Sequence, residues 1–139
     1  MDTPDEALAW IMRWTSGWDN ETEASWAIVD QADRPVGQVG LRAISLYDAS
    51  AALSYWVLPD ARGAEVAVRA ARALTRWTFD TARLHRIGLQ HSTANQPSCR
   101  VAAKLGFGLE GTARSSLMHV DGWHDMHIHA RLRTDGGMS

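Results

Sequence analysis

Between Leu53 and Leu74 the sequence changes character twice. Leu53-Ser54-Tyr55-Trp56-Val57-Leu58 is the apolar and aromatic run of a buried strand. Pro59 and Asp60 break it, and Arg62-Gly63 supplies a short turn. From Val66 the apolar spacing turns helical, with Val66, Ala70, Leu74, Trp77 and Thr81 on one stripe. A strand, a tight glycine turn and a helix N-terminus together attract anions. Free backbone N–H groups and the positive end of the helix dipole point at one spot. Arg62 adds a cation there. The chemistry this implies is a phosphate cradle.

A second group of residues could hold a metal. His124, Asp125, His127 and His129 crowd one stretch. On a strand, Asp125, His127 and His129 share a face, and histidines two apart can chelate. No fourth ligand is evident, and His119 lies across a hairpin whose register the sequence does not fix. These residues are therefore assigned to the pocket wall or the sheet surface, with no metal. Arg69, Arg72 and Arg76 form the outer face of the helix that begins at Val66. A solvated basic face is the simpler account; help with an anionic cofactor is the other.

These residues sit in a chain of 139, enough for one domain with a real core. A net charge of -2 gives no reason to expect a nucleic-acid binder. One cysteine, Cys99, allows no internal disulfide and fits a reducing compartment. No apolar run reaches the ~20 residues of a membrane helix. The start is acidic (Asp2, Asp5, Glu6) and lacks a signal-peptide layout. A cytoplasmic protein is expected. Seven tryptophans are many for this length, and core or interface packing is the expected use.

The elements that must position the site follow in order. Thr3-Pro4-Asp5-Glu6 reads as a capping box with proline at the first helical position. Leu8, Ile11, Met12 and Trp18 predict a first helix ending near Ser16-Gly17. Ser25 to Asp30 and Val36 to Leu46 predict a hairpin; Gly37 and Gly40 signal a bulge or a close backbone approach. The central strand is Ala51 to Leu58, and the long helix ends near Arg83-Leu84-His85. Arg86 to His91 is a strand, parallel to the central one across a right-handed crossover. Asn95 caps a helix from Gln96 to Leu105, stopped by Gly106. Phe107 to Val120 and Trp123 to Arg133 form a hairpin through Asp121-Gly122, a type I′ signal. Residues 1–133 make one domain and 134–139 a disordered tail. The fold class is α+β: a mixed sheet, mostly antiparallel, with one central parallel pair. Parallel strands that splay at their ends leave a slot for a linear ligand.

Several pieces resemble one family. Ser54-Tyr55-Trp56-Val57-Leu58-Pro59 with Ala61-Arg62-Gly63 is similar to the strand and pyrophosphate loop of GCN5-related N-acetyltransferases. Leu84-His85-Arg86-Ile87, Asn95-Gln96-Pro97-Ser98, and Val101 to Phe107 with Glu110-Gly111 resemble the ribosomal-protein N-acetyltransferase branch. Asp121-Gly122-Trp123-His124-Asp125 resembles its closing hairpin. The resemblance covers Ser25 to Arg133 and is most specific from Asn95 to Gly111.

It implies acetyl-CoA as donor and an amine as acceptor. It places the pyrophosphate on the amides of Arg62, Gly63, Ala64, Glu65, Val66 and Ala67, and counts Lys104 among the cofactor-binding residues. It places the pantetheine arm along Trp56, Val57 and Leu58. Asn95 would hold the arm or a water, and Ser98 would protonate the leaving thiolate. Transfer is direct, so Cys99 need not be a nucleophile and is assigned to packing.

This chain departs from the family in three places. Glycine is usual where Glu65 stands; a glutamate adds a charge beside a polyanion. Like charges ~4 Å apart repel by ~4 kcal/mol at an effective dielectric near ~20, and less in solvent. Ala52 replaces the glutamate the branch often carries as general base, which leaves a relayed water or His91. The family's first strand and helix are expected to be absent, exposing the edge of the Ser25 strand, which a homodimer would cover. The alternative to an acetyltransferase is a degenerate fold with weak or no catalysis, acting as a CoA-binding or interaction module.

Overall fold

The computed structural model describes residues 22–61 and 65–135, preceded by the backbone of one strand, β1 (Met12–Trp14). Then come β2 (Ala24–Val29), β3 (Pro35–Ser45), β4 (Ser50–Val57) and a single 3-10 turn (Pro59–Ala61). Helix α1 (Val66–Asp80), β5 (Arg86–Ser92), α2 (Gln96–Lys104), β6 (Gly108–His119) and β7 (Gly122–Leu132) complete the order. The strands form one sheet, β1-β2-β3-β4-β5-β7-β6. Every neighbouring pair is antiparallel except β4 and β5, which α1 connects. The expected α+β class and its central parallel pair are what the chain forms.

The core shows why these residues make these elements. In β2, Ala24, Trp26 and Ile28 alternate inward, and Val39 and Leu41 continue their layer on β3. Helix α1 lays Val66, Ala70 and Leu74 on this layer, as the sequence predicts, and adds Val68, Ala71 and Phe79. Thr75 and Thr78 are also buried, each hydroxyl donating to the carbonyl four residues back (Ala71 and Leu74). Thr81 lies outside the helix as its C-cap. Of the described tryptophans, Trp26 packs edge-on against Trp77 at 5.3 Å. Trp56 and Trp123 are exposed, outside the core.

Gly37 and Gly40 mark close approaches. A Cβ on Gly37 would lie 2.4 Å from the Trp56 carbonyl oxygen, and one on Gly40 would lie 2.7 Å from that of Ala24. The β2–β3 register shifts beside Gly37, where Ile28 pairs Gly37 and Val29 pairs Pro35, and the β3–β4 register shifts after Arg42, where Ala43 takes φ 49°. Gly37→Ala is expected to cost ~1–3 kcal/mol in urea unfolding, because backbone must move to admit the methyl.

Several boundaries are corrected. The first helix, predicted to run to Ser16-Gly17, gives way at Met12–Trp14 to a strand whose register partners are Ile28 and Trp26. An edge strand with open N–H and C=O groups outcompetes a local helical pattern. The rest of that predicted helix lies outside the described residues. A strand therefore does precede β2 and covers part of the edge expected to be open. Helix α1 stops at Asp80; Arg83, at φ 62°, turns the chain so that Leu84 is buried. The final hairpin turns on Val120-Asp121, not Asp121-Gly122. Neither turn residue has positive φ, so the turn is not type I′; Gly122 (φ 122°) opens β7 instead. The predicted tail begins with structure: Asp135 N donates to Leu132 O, and its carboxylate accepts from Leu132 N. Residues 136–139 lie outside the description.

Candidate active site

β4 and β5 pair over three positions, Ser50↔Arg86 to Ala52↔Gly88, and then separate. Both strands run on, to Val57 and Ser92, without a shared ladder. The gap is the mouth of a cleft of about 530 Å³. Tyr55, His91, Ser92, Asn95, Ser98 and His129 are among its walls. Sequence reasoning placed Asn95, Ser98 and His91 here, and the structure brings all three to one cleft.

α2 fixes the serine. Asn95 caps the helix, its Oδ1 accepting from Ser98 N at 3.1 Å, and Pro97 sits in the first turn. Gly106, at φ 78°, stops the helix as predicted: Phe107 N donates to Ala102 O and Gly106 N to Ala103 O. Buried Arg131 donates Nη1 to Leu105 O at 2.9 Å, satisfying a further end carbonyl. The helix thus presents Ser98 on a rigid first turn.

Tyr55, absent from the sequence-derived site, donates its hydroxyl to Ser98 Oγ at 3.2 Å. Burial pushes the Tyr55 phenol up, with the Ser98 contact opposing, so it stays a neutral donor near pH 7. Its donated proton leaves the Ser98 hydroxyl free to donate onward. The two residues are far apart in sequence, and no local pattern links them.

His91 is buried, with both ring nitrogens engaged: Nδ1 is 2.8 Å from Ser92 O, and Nε2 is 3.0 Å from His129 Nε2. His129 Nδ1 lies 3.4 Å from Phe107 O. A carbonyl only accepts, so both Nδ1 contacts need an N–H, and the central contact needs one proton more. Satisfying all three puts one positive charge on the pair. Against this, burial pushes the His129 imidazole down; the Phe107 carbonyl opposes, and His91 and His127 add to the downward push. His129 is therefore neutral near pH 7.

A histidine depressed in the fold binds fewer protons than in the unfolded chain. Its contribution to stability is complete above about pH 6.5 and is lost as the pH falls toward the folded value. Urea unfolding followed from about pH 8 to pH 5 is expected to show stability falling below about pH 6.5. His129→Gln is expected to flatten that slope; an unchanged slope would place its origin elsewhere.

The cofactor residues divide. Arg62, Gly63 and Ala64 lie outside the described residues. Trp56, Val57 and Leu58 follow the point where β4 leaves β5, with the Trp56 indole N–H donating to Gln38 Oε1. Val66 is buried and Ala67 packs on the core, so their backbone N–H groups are what the helix start can offer. Glu65 adopts φ 58°, the left-handed region where glycine is easiest, and its side chain makes no cap. Instead its carboxylate is paired with Lys104 Nζ. Lys104 holds the Glu65 carboxyl below the usual range, with Arg72 and Arg69 adding smaller pulls. Lys104 stands beside the helix start and is occupied by an acidic neighbour. Cys99 is a half-buried free thiol on α2.

Asp125, His127 and His129 are each engaged by other groups. Asp125 Oδ1 accepts from Ser115 N, His127 meets Thr112, and His129 meets His91. His124 and His119, with Asp121 added, converge instead at the β6–β7 turn. His124 Nε2 lies 2.6 Å from Asp121 Oδ1, and His124 Nδ1 lies 2.5 Å from Ser92 Oγ. The His119 ring lies against His124, with centroids 3.9 Å apart and planes tilted by 34°. His124 holds the Asp121 carboxyl below its usual range, and His119 contributes a smaller pull.

This architecture defines a class. The family model described as acetyltransferase (GNAT) domain matches residues 1–108, and the chain belongs to that family. Two curated relatives come from the ribosomal-protein branch. The putative ribosomal N-acetyltransferase YdaF of Bacillus subtilis is 28% identical over 100 residues, covering 71% of this chain and 54% of that protein. The ribosomal-protein-serine acetyltransferase of Escherichia coli is 24% identical over 109 residues, covering 78% of this chain and 61% of that protein. The chain therefore spans between about half and three fifths of these relatives' length. Among solved structures, the ribosomal-protein-S5-alanine acetyltransferase of Vibrio fischeri shares the fold with a TM-score of 0.79 at 24% identity, covering 84% of this chain and 64% of that one. The spermidine/spermine N-acetyltransferase SpeG of Vibrio cholerae has a TM-score of 0.80 at 20% identity, covering 84% and 70%. Among the described residues no helix is long and apolar enough to cross a membrane.

Proposed function

We propose that this chain transfers an acetyl group from acetyl-CoA to a primary amine, on a small molecule or a protein N-terminus. The Tyr55–Ser98 pair at the opening of β4 from β5 carries the proposal. The pantetheine arm lies along Trp56, Val57 and Leu58, and the pyrophosphate lies on the turn from Arg62 to Ala67, with Lys104 beside it. The Nδ2 group of Asn95, whose Oδ1 is committed to the helix cap, serves the arm or a water.

The amine nitrogen attacks the thioester carbonyl carbon, the C–S bond breaks, and Ser98 Oγ–H gives its proton to the leaving sulfur. Tyr55 donates to Ser98 as the alkoxide develops. The proton lost by the amine passes to water or to His91, whose pairing with His129 lets the two rings share one added charge. Holding both reactants in one cleft supplies the proximity the step needs. The protein works in the cytoplasm without nucleic acid or membrane. A homodimer would now meet through the outer edge of β1.

The pairing of Glu65 with Lys104 favours a second reading, a fold that binds CoA weakly and serves as an interaction module. Thiol release from acetyl-CoA separates the two. A panel of spermidine, free amino acids and ribosomal-protein N-terminal peptides is the test set. Turnover above background with one acceptor supports the enzyme. Binding of CoA with no turnover across the panel supports the module.

A further inference from the structure

The β6–β7 turn holds a three-residue cluster that acetyl transfer leaves unused. His119, Asp121 and His124 each offer one ligand atom, and these atoms all lie within 4.8 Å of one another. We propose that His119, Asp121 and His124 form a binding site for a borderline divalent cation, zinc first, at the rim of the cleft. This holds whether or not the chain acetylates anything.

The donor set argues for that class of ion. Two imidazoles and one carboxylate suit zinc, with a coordination position left for water. Copper exceeds zinc in intrinsic affinity at such a set, so zinc is favoured by tetrahedral geometry and not by affinity, whereas calcium and magnesium want oxygen ligands alone. An Asp–His hydrogen bond by itself explains Asp121 and His124, but not His119. The His119 ring is half-buried against His124 and makes no hydrogen bond among the described residues. It is the third donor, already in place and without other employment.

His124 is also oriented as a ligand would be. Its Nδ1 is fixed by Ser92 Oγ, itself buried and accepting from Ala94 N at 3.1 Å. A partner on the nitrogen that does not meet the metal sets ring orientation and tautomer. Without metal, Nε2–H donates to Asp121 and Ser92 donates to Nδ1. With metal on Nε2, that proton moves to Nδ1 and is donated to Ser92 Oγ. No net charge leaves the imidazole, and the Ser92 hydroxyl is released to turn toward the cleft it lines. The site can form from a turn whose backbone register already brings the ligands together (His119↔Gly122, Leu117↔His124).

Calorimetric titration of the full chain with zinc chloride, in a buffer that does not chelate, tests this. One site is expected, with a Kd of about 1 μM or tighter. His119→Ala and His124→Ala should each weaken binding at least ~10-fold, and Ser92→Ala by ~10-fold or more. His127→Ala, on the neighbouring cluster, should leave it unchanged. Cobalt loading should give visible d–d absorption that His119→Ala removes, and thermal melts check that each variant folds. Binding weaker than about 100 μM would overturn the proposal. So would zinc affinity that His119→Ala and His124→Ala leave unchanged, or that His127→Ala abolishes.

Discussion

Ser98→Ala is expected to lower kcat by ~10²–10³-fold while leaving the KM for acetyl-CoA nearly unchanged. A general acid acts only as the C–S bond breaks, so its loss falls on the chemical step. Helix α2 should tolerate the change, because Asn95 caps through the Ser98 backbone N–H and alanine is a good helix residue. Tyr55→Phe is expected to cost less, ~10-fold, the worth of one hydrogen bond of ~1.4 kcal/mol in the transition state. The double variant should be little worse than Ser98→Ala alone, because Tyr55 acts through Ser98. Steady-state kinetics by thiol release gives all three values. Equal losses from the two single variants, adding fully in the double, would mean that Tyr55 acts independently.

The second large effect should run the other way. Glu65→Gly is expected to tighten CoA binding by ~10-fold or more. Three contributions have the same sign. Glycine, at home at φ 58°, removes the side chain and lets the backbone approach the pyrophosphate closely. Removal of the carboxylate frees Lys104 to meet a phosphate. It also removes a negative charge from beside the N–H groups of the α1 start. Glu65→Gln keeps a side chain and drops the charge, so it should lie between glycine and the parent. Lys104→Ala should weaken binding in either background. Calorimetry with CoA measures the series. Unchanged affinity in Glu65→Gly would show that the ion pair does not compete with the ligand.

The elements with local signals were legible. Asn95 and Gly106 bound α2 within a residue of its predicted limits, because a cap and a positive-φ glycine are written into the chain itself. The apolar alternation of β2 and β3 likewise fixed their hairpin. Features made by distant pairings were not legible. Strand β1 exists because β2 offers an edge, which no property of Met12–Trp14 announces. Tyr55 was quoted only as part of a motif, since its partner Ser98 arrives 43 residues later. The approach of His119 to His124 depended on a turn that fell one residue earlier than the Asp121-Gly122 signal suggested. At Glu65, the departure from the family's glycine was read for its charge beside a polyanion, whereas the backbone places the residue at φ 58°, where glycine is easiest.

The most direct test is calorimetric titration of the purified chain with acetyl-CoA and with CoA. The cleft between β4 and β5, with the α1 start behind it, should bind acetyl-CoA with a Kd of about 10 μM or tighter. Ser98→Ala should leave that affinity nearly intact, since the hydroxyl serves the chemical step. No heat of binding at about 1 mM ligand would contradict the account, leaving an acetyltransferase fold without its donor substrate.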